Sequence, residues 1–424
     1  MKTLFKNVRL FDPAHGLDEV GNLYLEDGKI VDLGKKASGP PDAQLIEGGK
    51  KLLCPGFIDL HVHLREPGFE HKEDIQTGTR AAAAGGFTTV CCMANTQPVN
   101  DRASVTRYIL EQAEEKASVK VWPIGAITVG LQGERLADIG ELQDAGCVAL
   151  SDDGLTVMDA KLMRMAMDYA KGFEIPVITH SIDANLSKRG SMNEGVVSCQ
   201  LGLTGIPREA EDVMVARDIL LSQLTDCHLH VAHVSTKGSV ELLRRAKAGG
   251  ISVTGEAAPH HFTLTEEACR GYDTHAKMCP PLRTEEDRLA VMEGLADGTL
   301  DCIATDHAPH AIVDKEVEFD RAAFGILGLE TAFPLAYRLV EQGILTLEQL
   351  VERLTVGPLR VLGKVHGGLQ KDQPADLSLI DLEESWNYRV QEGFSKSRNS
   401  PFDGWELKGK VLGTWVDGKR VHGE

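Results

Sequence analysis

Between Cys54 and Gly357 short apolar runs alternate with longer helix-like stretches, and this alternation constrains the fold more than any other feature of the chain. The runs cover residues 56–64, 87–95, 119–128, 147–154, 176–181, 228–235, 251–259 and 301–309. Helical stretches such as 74–86, 159–172 and 208–224 lie between them. Strands alternating with helices over roughly 300 residues predict an α/β fold, a (β/α)8 TIM-like barrel. An open doubly wound sheet is the alternative. It calls for a Gly-rich phosphate loop after the first strand, and none is present.

The flanks read differently. Asp27-Gly28 and Asp417-Gly418 each sit between apolar runs as hairpin turns, and 35–42 (KKASGPPD) is a loop. The two ends are expected to pair into one small β-sandwich domain, residues 1–53 with 358–424, around a barrel of residues 54–357. A chain of 424 residues is long enough for one large domain and a lesser one.

Lys and Arg number 45 against 63 Asp and Glu, a formal net charge of −18. This argues against a nucleic-acid or anionic-membrane partner, though not against a small anionic substrate at a local site. No apolar run approaches the length of a membrane span, and residues 1–10 lack an apolar signal core. The nine cysteines are odd in number and scattered, with Cys91 and Cys92 adjacent and no Cys-x-x-Cys spacing. Reduced thiols in a cytoplasm are expected, and no thiolate zinc site.

Polar residues collect where the apolar runs end. His61 and His63 end the first, Asp153 the fourth, His180 the fifth, His233 the sixth and Asp306 the eighth. In a barrel that end of the strands carries the active site. Alternation in a strand puts Asp59, His61 and His63 on one face, with Ile58, Leu60, Val62 and Leu64 on the other. Imidazole and carboxylate without thiolate suit zinc or a similar divalent ion, and six such groups suffice for two ions if one carboxylate bridges. A lone buried histidine is more often a core residue than a ligand; the joint pattern carries the inference. His228 and His230 read as structural residues facing away from His233. His260 and His261 are candidate supports behind the ligands, and His15, His366 and His422 read as surface residues.

Arg65, Asn95 and His310 stand one step beyond these groups. Together they would make a cradle for a carboxylate, although Arg65 alone could equally form a surface ion pair with Glu66 or Glu70. The segment 324–330 (FGILGLE) follows a charged loop, 312–321. It reads either as a lid beside the site, with Phe324 and Gly325 at its rim, or as a connection leading into a helix.

The stretch 59–67 (DLHVHLREP) resembles the first signature of dihydroorotases, and 304–315 (ATDHAPHAIVDK) the second. Segments 72–90, 93–98, 151–154, 233–236 and 324–332 are similar to that family as well. The resemblance covers nearly the whole chain, including the split β domain of the amidohydrolase superfamily. It implies reversible hydrolysis of dihydroorotate to N-carbamoyl-L-aspartate in pyrimidine synthesis. It also implies two Zn2+ per subunit, with His61, His63 and Asp306 on one ion and His180 and His233 on the other. Relatives often bridge the ions with a carboxylated lysine on the fourth strand. Here that strand ends in Asp152-Asp153-Gly154, which matches long-chain members with a bridging aspartate, and Asp153 is taken over Asp152. Asp306 would be the catalytic proton carrier, and Arg65, Asn95 and His310 would hold the substrate carboxylate. A homodimer and association with an aspartate transcarbamoylase are implied too. Cys279 stands where the family usually has an asparagine that contacts the ring, and Ala323 where proline is common. Two rivals remain at this point: another cyclic amidase such as a hydantoinase or allantoinase, and a catalytically weak subunit that scaffolds a transcarbamoylase.

Overall fold

A computed structural model describes residues 2–365 and 367–423; His366, expected at the surface, lies outside the described residues. The N-terminal strands are β1 (Lys2–Asp12), β2 (Leu17–Glu26), β3 (Lys29–Gly34), β4 (Gln44–Glu47) and β5 (Leu52–Pro55). The barrel strands follow as β6 (Phe57–Val62), β7 (Phe87–Cys92), β8 (Lys120–Gly125), β9 (Ala149–Ser151) and β10 (Val177–Thr179). A short pair, β11 (Met192–Asn193) and β12 (Gly205–Ile206), interrupts them before β13 (Leu229–Val231), β14 (Val253–Ala257) and β15 (Cys302–Ile303). The chain ends with β16 (Leu377–Asn387), β17 (Glu406–Val416) and β18 (Lys419–His422).

The terminal strands form one sheet in the order β18-β17-β16-β5-β1-β2-β3, with β4 also on β1. Its register joins the two ends directly, since Leu377–Ile380 of β16 pair antiparallel with Leu52–Pro55 of β5. The sheet bends over its own core, so that Phe5 of β1 meets Trp415 of β17 edge to face at 4.8 Å although two strands separate them. Both hairpin turns form as expected. Asp27 and Gly28 have φ of +49° and +84°, and Asp417 and Gly418 have +46° and +70°. Such doubly left-handed turns match the twist of the strands they join.

The second sheet runs β6-β7-β8-β9-β10-β13-β14-β15. It closes where Val62 bridges His307 in parallel and the His63 N–H donates to the His307 carbonyl at 2.9 Å. The expected helices form at Ile75–Ala84, Ala160–Gly172 and Glu209–Thr225. Asp74 and Asp159 cap the first two by accepting backbone N–H bonds. Inside the barrel Leu60, Cys91, Ile124, Ala149, Ile178 and Cys302 make one cluster. A larger one, including Phe57, Phe87 and Phe333, lies between strands and helices. Phe57 stacks on Phe333 at 5.4 Å. No helix among the described residues is long and apolar enough to cross a membrane.

Candidate metal centre and active site

The first barrel strand departs from simple alternation. Its register against β7 shifts between Asp59 and Val62. Leu60 packs inside the barrel, whereas Val62 and Leu64 pack outside it among the helices. Such a bulge re-aims side chains at the rim of a sheet. Asp59 therefore does not share a working face with His61 and His63, as alternation predicted. Its Oδ1 accepts the N–H of His61 and of Thr305, both at 3.0 Å, and so fastens β6 to the segment after β15. Burial lifts its pKa to about 7.

The six polar strand-end residues converge. Asp153 lies at their centre: Oδ1 is 3.3 Å from His61 Nε2, 3.5 Å from His180 Nδ1 and 3.5 Å from His233 Nε2. Its Oδ2 is 3.4 Å from His63 Nε2. Asp306 Oδ1 stands 3.1 Å from His63 Nε2 and 3.4 Å from His61 Nε2. All six are buried. Three overlapping triplets among these six have geometry that could hold a metal ion, His61-His63-Asp153, Asp153-His180-His233 and His61-His233-Asp306, and a fourth group, His230-Glu256-Cys302, shares none of the six. Asp153 belongs to the triplet with His61 and His63 and also to that with His180 and His233, the place of a bridging group. His61 Nε2 and Asp153 Oδ1 are buried without a hydrogen-bond partner, and His180 Nδ1 lies 2.9 Å from His233 Nε2 beside them. Polar atoms left bare in a dry interior are costly, and a divalent cation is the group that imidazole nitrogens and carboxylate oxygens aimed at one point would satisfy.

The charges agree with this. Burial opposes a charge on His61, but Asp153, Asp306 and Glu256 outweigh it and hold its pKa well above the ordinary value. Burial likewise opposes ionisation of Asp306, yet His61, His63 and His233 bring its pKa down to about 2. His180 is raised to about 10 against burial by hydrogen bonds to Asp153 and the Cys279 sulfur. Protons here balance a cluster that cations would otherwise balance, and cation binding would release them. The neighbouring carboxylate does other work. Asp152 accepts the N–H of Ile127 at 2.7 Å and of Thr128 at 3.0 Å, and the Thr128 hydroxyl.

A cavity of about 350 Å³ opens over the cluster, lined among others by Arg65, Asn95, Cys279, His310 and Phe324. Arg65 does not pair with Glu66 or Glu70. Its Nε donates to the Pro309 carbonyl at 3.1 Å, one terminal nitrogen lies 3.4 Å from His310 Nε2, and the side chain lines the cavity. Glu66 takes Lys116 instead, at 2.6 Å. Asn95 is partly committed, since its Oδ1 lies 2.9 Å from His63 Nδ1; its amide nitrogen is what it can offer a ligand. His310 donates from Nε2 to the Phe324 carbonyl at 2.8 Å. Burial, with Arg65 and Lys72 nearby, presses its pKa down to about 3 and keeps the ring neutral. Gly325 does not line the cavity. Its N–H donates to Lys277 and its carbonyl accepts from Lys315 and Asn399. A side chain there would strike the His310 ring at 2.6 Å, so the glycine serves by letting His310 lie against the backbone.

The 311–325 segment is held down over the site by two buried lysines. Lys315 Nζ donates to the carbonyls of Ala323 at 2.8 Å and Gly325 at 3.1 Å. Lys277 Nζ donates to those of Phe319 at 2.7 Å and Asp320 at 3.0 Å, and lies 4.5 Å over the Phe324 ring. Burial lowers the two amines to about 7 and about 8 respectively.

The remaining histidines divide. His230 does not face away from the site: its Nε2 donates to Glu256 at 3.0 Å, and Glu256 in turn accepts from His61. His228 bonds Ser252 and Thr254 at the opposite end of the same strand. His261 donates to the Pro280 carbonyl at 2.9 Å, beside Cys279, and so supports that loop. His422 is half-buried against Phe394, while His15 is exposed beside Asp12. Glu256 is the residue that sequence reasoning missed; the signal was an acid inside an apolar strand, in 253–257 (VTGEA).

A family model described as "Dihydro-orotase-like" matches residues 50–239. A protein named dihydroorotase from Syntrophotalea carbinolica is 54% identical over 419 residues, 99% of this chain and 98% of that one. Another, from Geobacter metallireducens, is 52% identical over 422 residues and the whole of both chains. Among solved structures, the L-hydantoinase (dihydropyrimidinase) of Arthrobacter aurescens matches with a TM-score of 0.89 at 25% identity, covering 100% of this chain and 96% of that one. With half of its residues shared end to end with such relatives, the chain belongs to the dihydroorotase family.

Proposed function

We propose that the protein is a metal-dependent dihydroorotase that hydrolyses the ring amide of dihydroorotate and, in reverse, closes N-carbamoyl-L-aspartate. The observation that carries this reading is the juxtaposition of a four-histidine, two-aspartate cluster with an arginine-lined cavity. Hydantoinases share the fold, but a hydantoin ring carries no carboxylate for Arg65 and His310 to hold. The fourth strand here also ends in Asp152-Asp153, with no lysine to carboxylate.

In this reading His61, His63 and Asp306 would hold one Zn2+, His180 and His233 the other, and Asp153 would serve both. When bound, two such ions supply a water of lowered pKa and a positive field for the charge that develops on the ring carbonyl. The protein groups do the rest. Arg65, Asn95 and His310 bind the substrate carboxylate and so fix the carbonyl carbon over the cluster. Asp306 accepts a proton from the attacking water and returns it to the departing ring nitrogen; cyclisation reverses the transfer. Phe324 and the 311–325 segment exclude bulk water from the cavity. The helix Glu209–Thr225 exposes Val213, Leu220 and Leu224 along one side, which supports a homodimer as part of the proposal. Association with an aspartate transcarbamoylase belongs to the same reading. So does a reducing cytoplasm for the nine free thiols.

The test is metal analysis of the purified chain, with dihydroorotate, hydantoin and allantoin assayed in parallel before and after chelation. Dihydroorotate turnover lost on chelation and restored by zinc is expected; preference for either other ring would overturn the reading. Two substitutions probe the cradle. Arg65→Lys keeps the charge but loses the planar fork, and is expected to raise KM for dihydroorotate by on the order of tenfold at unchanged metal content. Cys279→Asn replaces a weak partner with a strong one on the cavity wall. A gain of one neutral hydrogen bond would lower KM by roughly threefold to tenfold; a large loss of turnover would give the thiol a role of its own.

A further inference from the structure

We infer that Glu256 is the positioning residue that couples the two halves of the metal cluster, acting through His61 on one side and His233 on the other. The inference rests on the metal-centre reading above and deepens it. Glu256 lies on β14, 1% exposed, behind the cluster and out of the cavity. Its Oε1 receives two donors: Nδ1–H of His61 at 2.9 Å and the backbone N–H of His233 at 3.2 Å. Its Oε2 receives Nε2–H of His230 at 3.0 Å. The His230 Nδ1 then accepts from the Thr254 hydroxyl at 2.9 Å. The carboxylate is thus fully engaged by three donors, one from β6, one from β13 and one from the turn that follows β13.

Two consequences follow from this geometry. First, a carboxylate on Nδ1–H fixes the His61 tautomer and leaves Nε2 bare toward Asp153 and Asp306, while making that nitrogen more basic. Second, His233 has φ of +35°, a backbone conformation that residues with a Cβ avoid. The bond from its N–H to Glu256 helps hold that turn, and the turn aims the ring. In the proposed assignment His61 and His233 serve different ions. One carboxylate therefore orients a ligand of each, and a change at Glu256 reaches both ions although it touches neither.

The test uses the full chain freed of metal, with Zn2+ alone as the probe and a chromophoric chelator as competitor. Glu256→Gln keeps the shape and an accepting oxygen for His61 and His233. Its amide nitrogen is accommodated if His230 changes tautomer and Thr254 turns its hydroxyl. What it removes is the negative charge. Both Zn2+ affinities are expected to fall together, by about 10- to 100-fold each, with a native circular dichroism spectrum. The loss in turnover should fall on kcat, with KM for dihydroorotate little changed because no residue of β14 is among those that line the cavity. Unchanged Zn2+ affinities in Glu256→Gln, or weakening of one ion alone, would overturn the inference and leave the metal-centre reading standing. A parent chain that binds no Zn2+ would overturn both. Should Glu256→Gln fail to fold, Thr254→Val carries the same comparison from two hydrogen bonds away, through His230. A severalfold weakening of both ions is then expected, and unaltered affinities would refute the coupling.

Discussion

Asp153→Ala is expected to abolish dihydroorotate turnover, by on the order of a thousandfold or more, about 4 kcal/mol of transition-state stabilisation, and to strip the purified protein of most of its metal. Among the described residues Asp153 alone is paired with His61, His63, His180 and His233 at once, within 3.3–3.5 Å of a ring nitrogen of each. Without it two pairs of imidazoles remain with one carboxylate, Asp306, at one edge. Two imidazoles alone are too few ligands for a tight zinc site, and two cations close together repel unless an anion lies between them. The residue before it sets the contrast. Asp152→Ala leaves two buried N–H groups and a hydroxyl without their acceptor. At about 1–3 kcal/mol for each unsatisfied group, it should lower stability by several kcal/mol. Asp152→Ala should melt well below the parent chain while its metal ligands stay in place, whereas Asp153→Ala should show its loss first in metal content. Metal content and melting temperature on the same preparations decide the matter. A fully metallated, active Asp153→Ala would remove Asp153 from the bridging position.

Much of this was readable because barrel chemistry is written at strand ends. Side chains that close an apolar run at its C-terminal end point to the same rim whatever the details of packing, so His61, His63, Asp153, His180, His233 and Asp306 could be gathered without knowing a single contact. Contacts decided the rest. The bulge at Asp59 depends on how β6 registers against β7, and register is a property of two strands, invisible in one. His230 was placed on the wrong side for the same reason, because spacing along a short strand end predicts facing only while the strand stays regular. Glu256 was hidden by its setting, since a single acid in an apolar strand is as easily an edge residue as a buried one. Lys277 and Lys315 could not have been found at all. Lysine is read as a surface residue, and their burial is tolerated because backbone carbonyls accept their bonds, four of them from the 311–325 segment. Gly325 was placed among substrate contacts, whereas its backbone is bonded to the protein on both sides.

Asp306→Asn separates holding the metal from moving the proton. Asparagine keeps the shape of the side chain and still offers an oxygen beside His63, where Asp306 Oδ1 now lies 3.1 Å from Nε2. It cannot accept a proton from the attacking water. Turnover is expected to fall on the order of a thousandfold in both directions, equally for hydrolysis and for cyclisation, because the same group carries the proton each way. Metal content and substrate affinity should stay near those of the parent chain. The nearby histidines are poor substitutes. His307 accepts the Gly328 N–H at Nδ1, 3.2 Å, and turns Nε2 toward Glu73 at 3.4 Å, away from the cavity. His310 donates from Nε2 to the Phe324 carbonyl, a bond that a substrate carboxylate would replace, and its low pKa makes it a weak base at neutral pH. Asp306 is itself a weak base with a pKa of about 2 in the protonated cluster. Its fitness for the task comes from position, at the edge of the cluster and on the cavity wall, where proton donor and leaving nitrogen both come within reach. If Asp306→Asn turns over near the parent rate with metal retained, the proton travels by another route and the role assigned to Asp306 is wrong. A loss confined to one direction would be equally damaging, since a single shuttle cannot serve hydrolysis and fail cyclisation.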